Sequence, residues 1–439
     1  METLFTLPEN QEEGKKQPVP GKARTQQANR QQIEMRLASL EDLLPEEHMA
    51  RVVWAMVAQM DLSALYAEIQ SVEGQAGRPA IDPRLLMAIW LYATLEGVGS
   101  ARALERLCQE HLAYQWLLGG VNVNYHTLAD FRVGHEQVLD ELLTKGVAAL
   151  LKEGVVSLDR TAQDGMKVRA HAGLKSFRHR DSLEQHLANA KEHVAQLKQQ
   201  AQAETKPSDK RKQAAVQRAA TERVERLAKA LDQLEQLAKK KKKAHRKRCQ
   251  QKEPRSSSTD PEARFLKQFD GGVRAGYNAQ LTVDTQSGII VGSAVINEVD
   301  QGQMTPMLDQ LKRRYGRKPK EHLVDGGYVS FSQLEQAYQE QVAVYGPLPK
   351  ASKANPDPSQ PKASDTPGVK AWRARMSAEA SKTLYKLRGA TIEWANACIR
   401  NLGFHQVTVS GLKKVRAILL WFVLAHNLMR ARTLRMAKA

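Results

Sequence analysis

The sequence predicts an α/β protein whose mixed sheet is preceded by an all-α region and interrupted by a long helical hairpin. Three observations carry this: apolar residues recur at helical spacing from Leu40 to Leu151; β-rich runs alternate with short helical ones after Gly154 and again after Tyr277; and between them two narrow apolar stripes cross a very polar stretch. At 439 residues the chain is longer than one typical domain of about 100–150 residues.

Residues 1–37, rich in Gln, Lys and Pro and without periodicity, read as a mobile leader. The all-α region, 38–151, begins with Leu43, Val52, Val53, Met56 and Met60 at mostly helical spacing. It breaks at the Gly- and Pro-containing segment 77–83, and resumes over 84–96, 100–108 and 112–118. About five helices are expected, and Thr127 with Asp130 reads as the capped start of one that could enter a DNA groove. Segments 155–159 and 161–165 read as a short strand ending at Asp164-Gly165. Leu183, Leu187, Ala190, Val194 and Leu197 then form one stripe, and Val224, Leu227, Leu231, Leu234 and Leu237 a second. The Pro207 break between them makes 181–255 an antiparallel helical insertion. A β-hairpin over 277–296, a helix at 303–315, a strand at 322–324, a helix at 330–339, a strand at 342–345 and closing helices including 417–430 complete the sheet domain, 152–180 with 256–439.

Charge narrows the function classes. The net charge is +18, yet residues 1–150 hold 13 Lys and Arg against 20 Asp and Glu, so the remainder carries +25. Eight Lys and Arg fall within 239–248. Such a run is a solvated face or a contact for a polyanion. Three scattered cysteines, Cys108, Cys249 and Cys398, argue against a disulfide framework or thiolate metal site and suit a reducing, cytoplasmic compartment. Apolar stretches are too short to cross a bilayer, and Glu2, Glu9, Glu12 and Glu13 occupy the place of a signal-peptide core.

Three acidic residues stand out. Asp164 and Asp325 each end an expected strand and precede glycine, and if those strands are neighbours the two carboxylates converge at one end of the sheet. Like charges that close call for a cation, and oxygen-only ligands favour Mg2+ or Mn2+. Glu393, on a late helix with Arg388 and Arg400, is the third candidate. Asp159 and Asp284 compete with them as ligands.

Together these residues resemble a DDE transposase of a bacterial insertion sequence, in the branch with a helical insertion after the first catalytic aspartate. The resemblance covers nearly the whole chain, through segments 77–83, 100–120, 163–173, 258–264, 276–292, 300–303, 320–328, 385–400 and 411–427. It implies a ribonuclease-H-like core, Asp164, Asp325 and Glu393 as catalytic ligands of two Mg2+ ions, and Tyr385 and Arg388 as a Tyr-x-x-Arg preceding the glutamate. Arg400 falls where a lysine contacting the transposon end is usual. The implied activity is cleavage at terminal inverted repeats followed by attack of the 3′ hydroxyl on target DNA. The partners implied are both DNAs and a second copy of the chain in a synaptic complex, in the bacterial cytoplasm at the nucleoid. End recognition falls to the helical region, with Arg102, Arg106 and Arg132 as a patch for phosphates. The chain departs from the family pattern in three ways: four residues rather than three separate Arg388 from Glu393, Arg400 replaces lysine, and Trp394-Ala395-Asn396 follows the glutamate in place of a Pro-Val-Phe-like sequence. A structure-specific nuclease on the same core, or a decayed, non-catalytic DNA-binding protein, are the alternative readings.

Overall fold

In a computed structural model the chain is described at residue 31 and over 39–437, apart from 73, 75–77, 204–206, 243–252, 269 and 353–355. The expected leader and most of the basic run at 239–248 lie outside the described residues.

Among the described residues seven α-helices precede the sheet: α1 (Met49–Ala58), α2 (Ser63–Ala67), α3 (Pro83–Leu95), α4 (Ala101–Glu110), α5 (Leu112–Leu118), α6 (Tyr125–Gly134) and α7 (Glu136–Lys152). Local sequence explains their starts. Asp82 accepts from Arg84 N at 2.8 Å with Pro83 in the first turn of α3, and Ser100 caps α4. Helix α6 is capped by Asn124, whose Oδ1 accepts from Thr127 N at 2.9 Å, so the start expected at Thr127 lies three residues earlier. An Asx cap closer to the Gly119-Gly120 turn takes precedence over the threonine.

Strand β1 spans Arg160–Arg169, not 155–165 as expected. Upstream, the buried Asp284 carboxylate accepts from Leu158 N at 3.0 Å and holds that residue at φ 55°, a left-handed conformation that no strand continues through. Strand β2 (Phe177–Arg178) pairs with β3 (Ser256–Ser257), and between them α8 (Arg180–Ala203) and α9 (Pro207–Lys242) form the hairpin, with their own small core of Leu183, Ala190, Leu227, Ala230 and Leu234. Then follow β4 (Arg264–Lys267), β5 (Val273–Asp284), β6 (Ile290–Ile296), α10 (Met304–Tyr315), β7 (Glu321–Leu323), α11 (Phe331–Gln339), β8 (Ala343–Tyr345), α12 (Pro367–Ser377), α13 (Glu379–Arg388), α14 (Trp394–Asn401) and α15 (Leu412–Met436).

The main sheet runs β6-β5-β1-β7-β8, with β4 beside the start of β5. Strand β5 is antiparallel to β1, β4 and β6, while β1, β7 and β8 are parallel. Helix α15 ties this sheet to the N-terminal helices. It packs on α3, α6, α7 and β6, with Trp421 fully buried and donating from Nε1 to Arg132 O at 2.9 Å. Asn427 exchanges two hydrogen bonds of 2.8 Å with Ile290 N and O, so the helix is stitched to β6 by its backbone. One continuous apolar core runs through both parts, and each fully buried Leu or Ile in it contributes about 1.5–3 kcal/mol.

Candidate active site

The parallel register of β1 and β7 decides where the acids meet. Arg160, Thr161 and Ala162 pair with Glu321, His322 and Leu323. Continued two residues past the last pair, that register would bring Asp164 level with Asp325, which follows the end of β7, and the Asp325 carboxylate lies close enough to act on that of Asp164. Asp164 therefore lies mid-strand in β1, not at a strand end; it is β7 that ends there. Its side chain is 23% exposed. Burial pushes the Asp164 carboxyl up, with Asp325 and Asp300 adding to the rise and the Gly165 N–H and Arg388 opposing it. Asp325 Oδ1 accepts from Gly327 N at 2.5 Å, which fixes the turn after β7.

The helical half of the site turns on an irregularity. Gly389–Glu393 forms a single π-helical turn between α13 and α14. In an uninterrupted α-helix, side chains five apart diverge by about 140°; the wider π turn takes in one more residue and brings them back towards one face. Arg388 and Glu393 are five apart, and Arg388 Nη2 lies 3.6 Å from Glu393 Oε1 while Nη1 lies 3.7 Å from Asp164 Oδ2. The four-residue spacing noted in the sequence is thus absorbed by the backbone. Glu393 remains 67% exposed against 16% for Arg388, and Arg388 Nη1 is buried without a hydrogen-bond partner. The Arg388 guanidinium lies 5.9 Å from the Tyr385 ring centroid. Burial is the main cause that raises the Tyr385 hydroxyl, and the neighbouring arginine pulls it the other way. Arg400 is half-buried on α14, two turns past Glu393.

The opposite face of β1 carries a polar network that sequence reasoning missed. Thr161, Gln163, Gly165 and Lys167 alternate with Asp164. Thr161 Oγ1 meets His322 Nδ1 at 2.8 Å, His322 Nε2 meets Gln163 Oε1 at 3.0 Å, and Gln163 Nε2 donates to Gln280 Oε1 at 3.0 Å. Tyr328 OH donates to Gln280 Oε1 at 2.6 Å, and Gln280 Nε2 donates to Asp300 Oδ1 at 2.8 Å. Lys167 Nζ and Asn278 Nδ2 also donate to Asp300 at 2.8 Å. Burial alone would raise the Asp300 carboxyl, but these hydrogen bonds outweigh it and hold it below its ordinary value. Burial drives His322 down to about 3, so it is neutral. Gly165 makes the network possible: a Cβ there would sit 2.1 Å from Asp300 Oδ1 and 2.5 Å from Gln280 Nε2. The one available signal was the polar alternation of residues 161, 163 and 167 along a strand otherwise destined for the core.

Other candidates go elsewhere. Asp284 holds the β5–β6 turn through Ser287 N and Oγ, and Asp159 pairs with Lys320 at 3.2 Å. The structure does not bring Arg132 to a DNA-facing surface: it is 8% exposed, stacks 4.5 Å from the Trp90 ring centroid and donates to Gly99 O. Burial lowers it to about 10. Among the described residues no three His, Cys, Asp or Glu side chains gather closely enough to hold a metal ion, and no helix is long and apolar enough to cross a membrane.

Comparison with known families agrees with the fold. A family model described as "Transposase domain (DUF772)" matches residues 38–133, and one described as "Transposase DDE domain" matches residues 258–428. No curated protein and no solved structure matches the chain. The second match spans β4 to α15, including Asp325 just after β7 and the turn that carries Glu393, and the sheet is the ribonuclease-H-like one that this family uses. With the two matches covering more than half of its length, the chain belongs to the DDE-type transposases of bacterial insertion sequences.

Proposed function

We propose that this transposase cleaves DNA at the terminal inverted repeats of its insertion sequence and joins the freed 3′ hydroxyl ends to target DNA, with Asp164, Asp325 and Glu393 as catalytic carboxylates. One observation carries the reading: Asp164 on β1 lies beside Asp325, just past the end of the parallel neighbour β7, with Arg388 reaching from Asp164 to Glu393. The donor set is all oxygen, and a divalent cation would relieve the buried Asp164 carboxyl, which lies beside Asp325 and Asp300. Asp164, Asp325 and Glu393 would hold Mg2+ or Mn2+, which supplies activation of the attacking oxygen and stabilisation of the leaving one.

The chain's own residues do the rest. The sheet carboxylates set a fixed edge against which a phosphodiester is oriented. Arg388 has an Nη1 donor to spare for a phosphate oxygen, and Tyr385 keeps its guanidinium in line. Arg400 extends the basic track along α14 towards the transposon end, where a guanidinium pairs with phosphate in place of the ammonium usual at this position. Because two ends must meet, a homodimer is the working assembly, with the α8–α9 hairpin as a candidate contact between copies.

The test is to assay Asp164→Asn and Asp325→Asn on DNA carrying the flanking inverted repeats. Each variant should bind DNA and lose nicking and joining by about 10²–10³-fold or more. Unimpaired cleavage would remove the carboxylate assignment, and wild-type cleavage without joining would leave a nuclease.

A further inference from the structure

At the root of the helical hairpin, where β2 and β3 connect it to the main sheet, four segments converge on a pocket of about 260 Å3. Arg178 comes from β2, His186 from α8, Arg223 and Arg226 from α9, and Ser258 and Thr259 from the stretch after β3. Arg223 and Arg226 are three apart and leave the helix on one face. Among the described residues no carboxylate lines the pocket. Among the described residues, the side chains of Arg178, His186, Arg223 and Arg226 have no hydrogen-bond or ion-pair partner, and Arg226 Nε is buried.

Cations immediately around this pocket are treated differently. Arg180 pairs with Glu184 at 3.3 Å and Glu235 at 3.5 Å, Lys229 with Glu262 at 3.1 Å, and Arg264 donates to Gln233. So the shortage of counter-charge is local to the pocket. Three guanidiniums gathered without an anion repel one another, and the arrangement is relieved by a ligand with several anionic oxygens. The guanidinium fork matches phosphate, and the Thr259 hydroxyl adds a neutral donor, since Ser258 Oγ is already committed to Ser176 O at 3.2 Å. The only apolar side chain in the lining is Leu227 and no aromatic is present to stack a base. That favours a backbone phosphate over a free nucleotide.

We propose that this pocket is a phosphodiester-binding site that anchors the backbone of duplex DNA at the root of the hairpin, separate from the carboxylate site. The proposal rests on the reading of the chain as acting on DNA.

The experiment uses full-length protein and labelled duplexes of two unrelated sequences, with binding measured across a range of KCl concentrations. Relative to wild type, the double variant Arg223→Ala/Arg226→Ala should bind both duplexes more weakly and to the same degree. The slope of log affinity against log salt should be shallower by about 1. Arg223→Lys/Arg226→Lys should keep the wild-type slope. An unaltered slope in a double variant with unaltered melting temperature overturns the proposal while leaving the transposase reading intact. Wild-type protein that binds neither duplex overturns the DNA reading itself. Stabilisation of wild type, but not of the double variant, by inorganic phosphate with an unaltered DNA slope overturns the backbone assignment in favour of a free-anion site. Should the double variant fail to fold, Arg223→Ala alone, at an exposed position, takes its place with the same readout.

Discussion

The two halves of the carboxylate site are built on different principles. Asp164 and Asp325 belong to the sheet, where β1 is hydrogen-bonded on both sides, to β5 and β7, and a one-residue slip would turn every side chain to the other face. Glu393 belongs to a helix, is largely exposed, and takes its position from one π turn and from an arginine 3.6 Å away. The sheet half is therefore set by folding itself, whereas the helical half is set by a contact that ligand binding can remake. A rigid pair facing an adjustable third member suits a site that must receive a phosphodiester and later release it.

That contrast can be broken at three points. Arg388→Lys removes the fork that spans both halves while keeping the charge, and should cost about 2–3 kcal/mol in the strand-transfer barrier with little change in melting temperature. A fall in stability of the same size would show that the helical half is as structural as the sheet half. Gly165→Ala inserts a methyl against Asp300 and Gln280, and overpacking of about 1–3 kcal/mol should appear in denaturant titrations together with lost activity. If Ala is tolerated, the network behind β1 is softer than the geometry implies.

The third point concerns pH. His322 is depressed to about 3 when folded and takes up protons near its ordinary 6.5 when unfolded. The unfolded chain then binds more protons between those values. The stability contribution is full above about 6.5 and is lost as pH falls towards about 3, at up to about 1.4 kcal/mol per pH unit. His322→Asn should flatten that part of the stability profile, measured by urea midpoints from pH 7 to pH 4. A profile equally steep in the variant would assign the acid sensitivity to other groups.

Much of this was legible along the chain. The hairpin turn at 285–287, the two apolar stripes of α8 and α9 and the alternating order of strands and helices follow from local periodicity, and the structure contains each of them. The start of β1 was not legible, because it depends on Asp284 capturing Leu158 N across 126 positions of sequence. Nor was the loss of Arg132 into the core: an arginine in the last turn of a helix looks surface-bound until its guanidinium stacks on Trp90 and its carbonyl accepts from Trp421 Nε1. The Asp300 network escaped because its members come from β1, β5, the loop after β6 and the turn after β7, and only their packing reveals that the polar residues of β1 share partners.

The sequence by itself determined which residues can do chemistry: Asp164-Gly165 and Asp325-Gly326, the Tyr-x-x-Arg and the glutamate beyond it are chemical facts about the chain, as is the basic excess after residue 150. Tertiary structure alone decided which of them meet. The parallel pairing of β1 and β7 brings Asp164 beside Asp325, just past the end of β7, and a π turn restores Glu393 to the face of Arg388 despite the extra residue. The reason is physical: strand pairing and helix pitch are properties of hydrogen bonds between backbone groups, and which of those bonds form is settled by packing, not by the identity of the acids they carry.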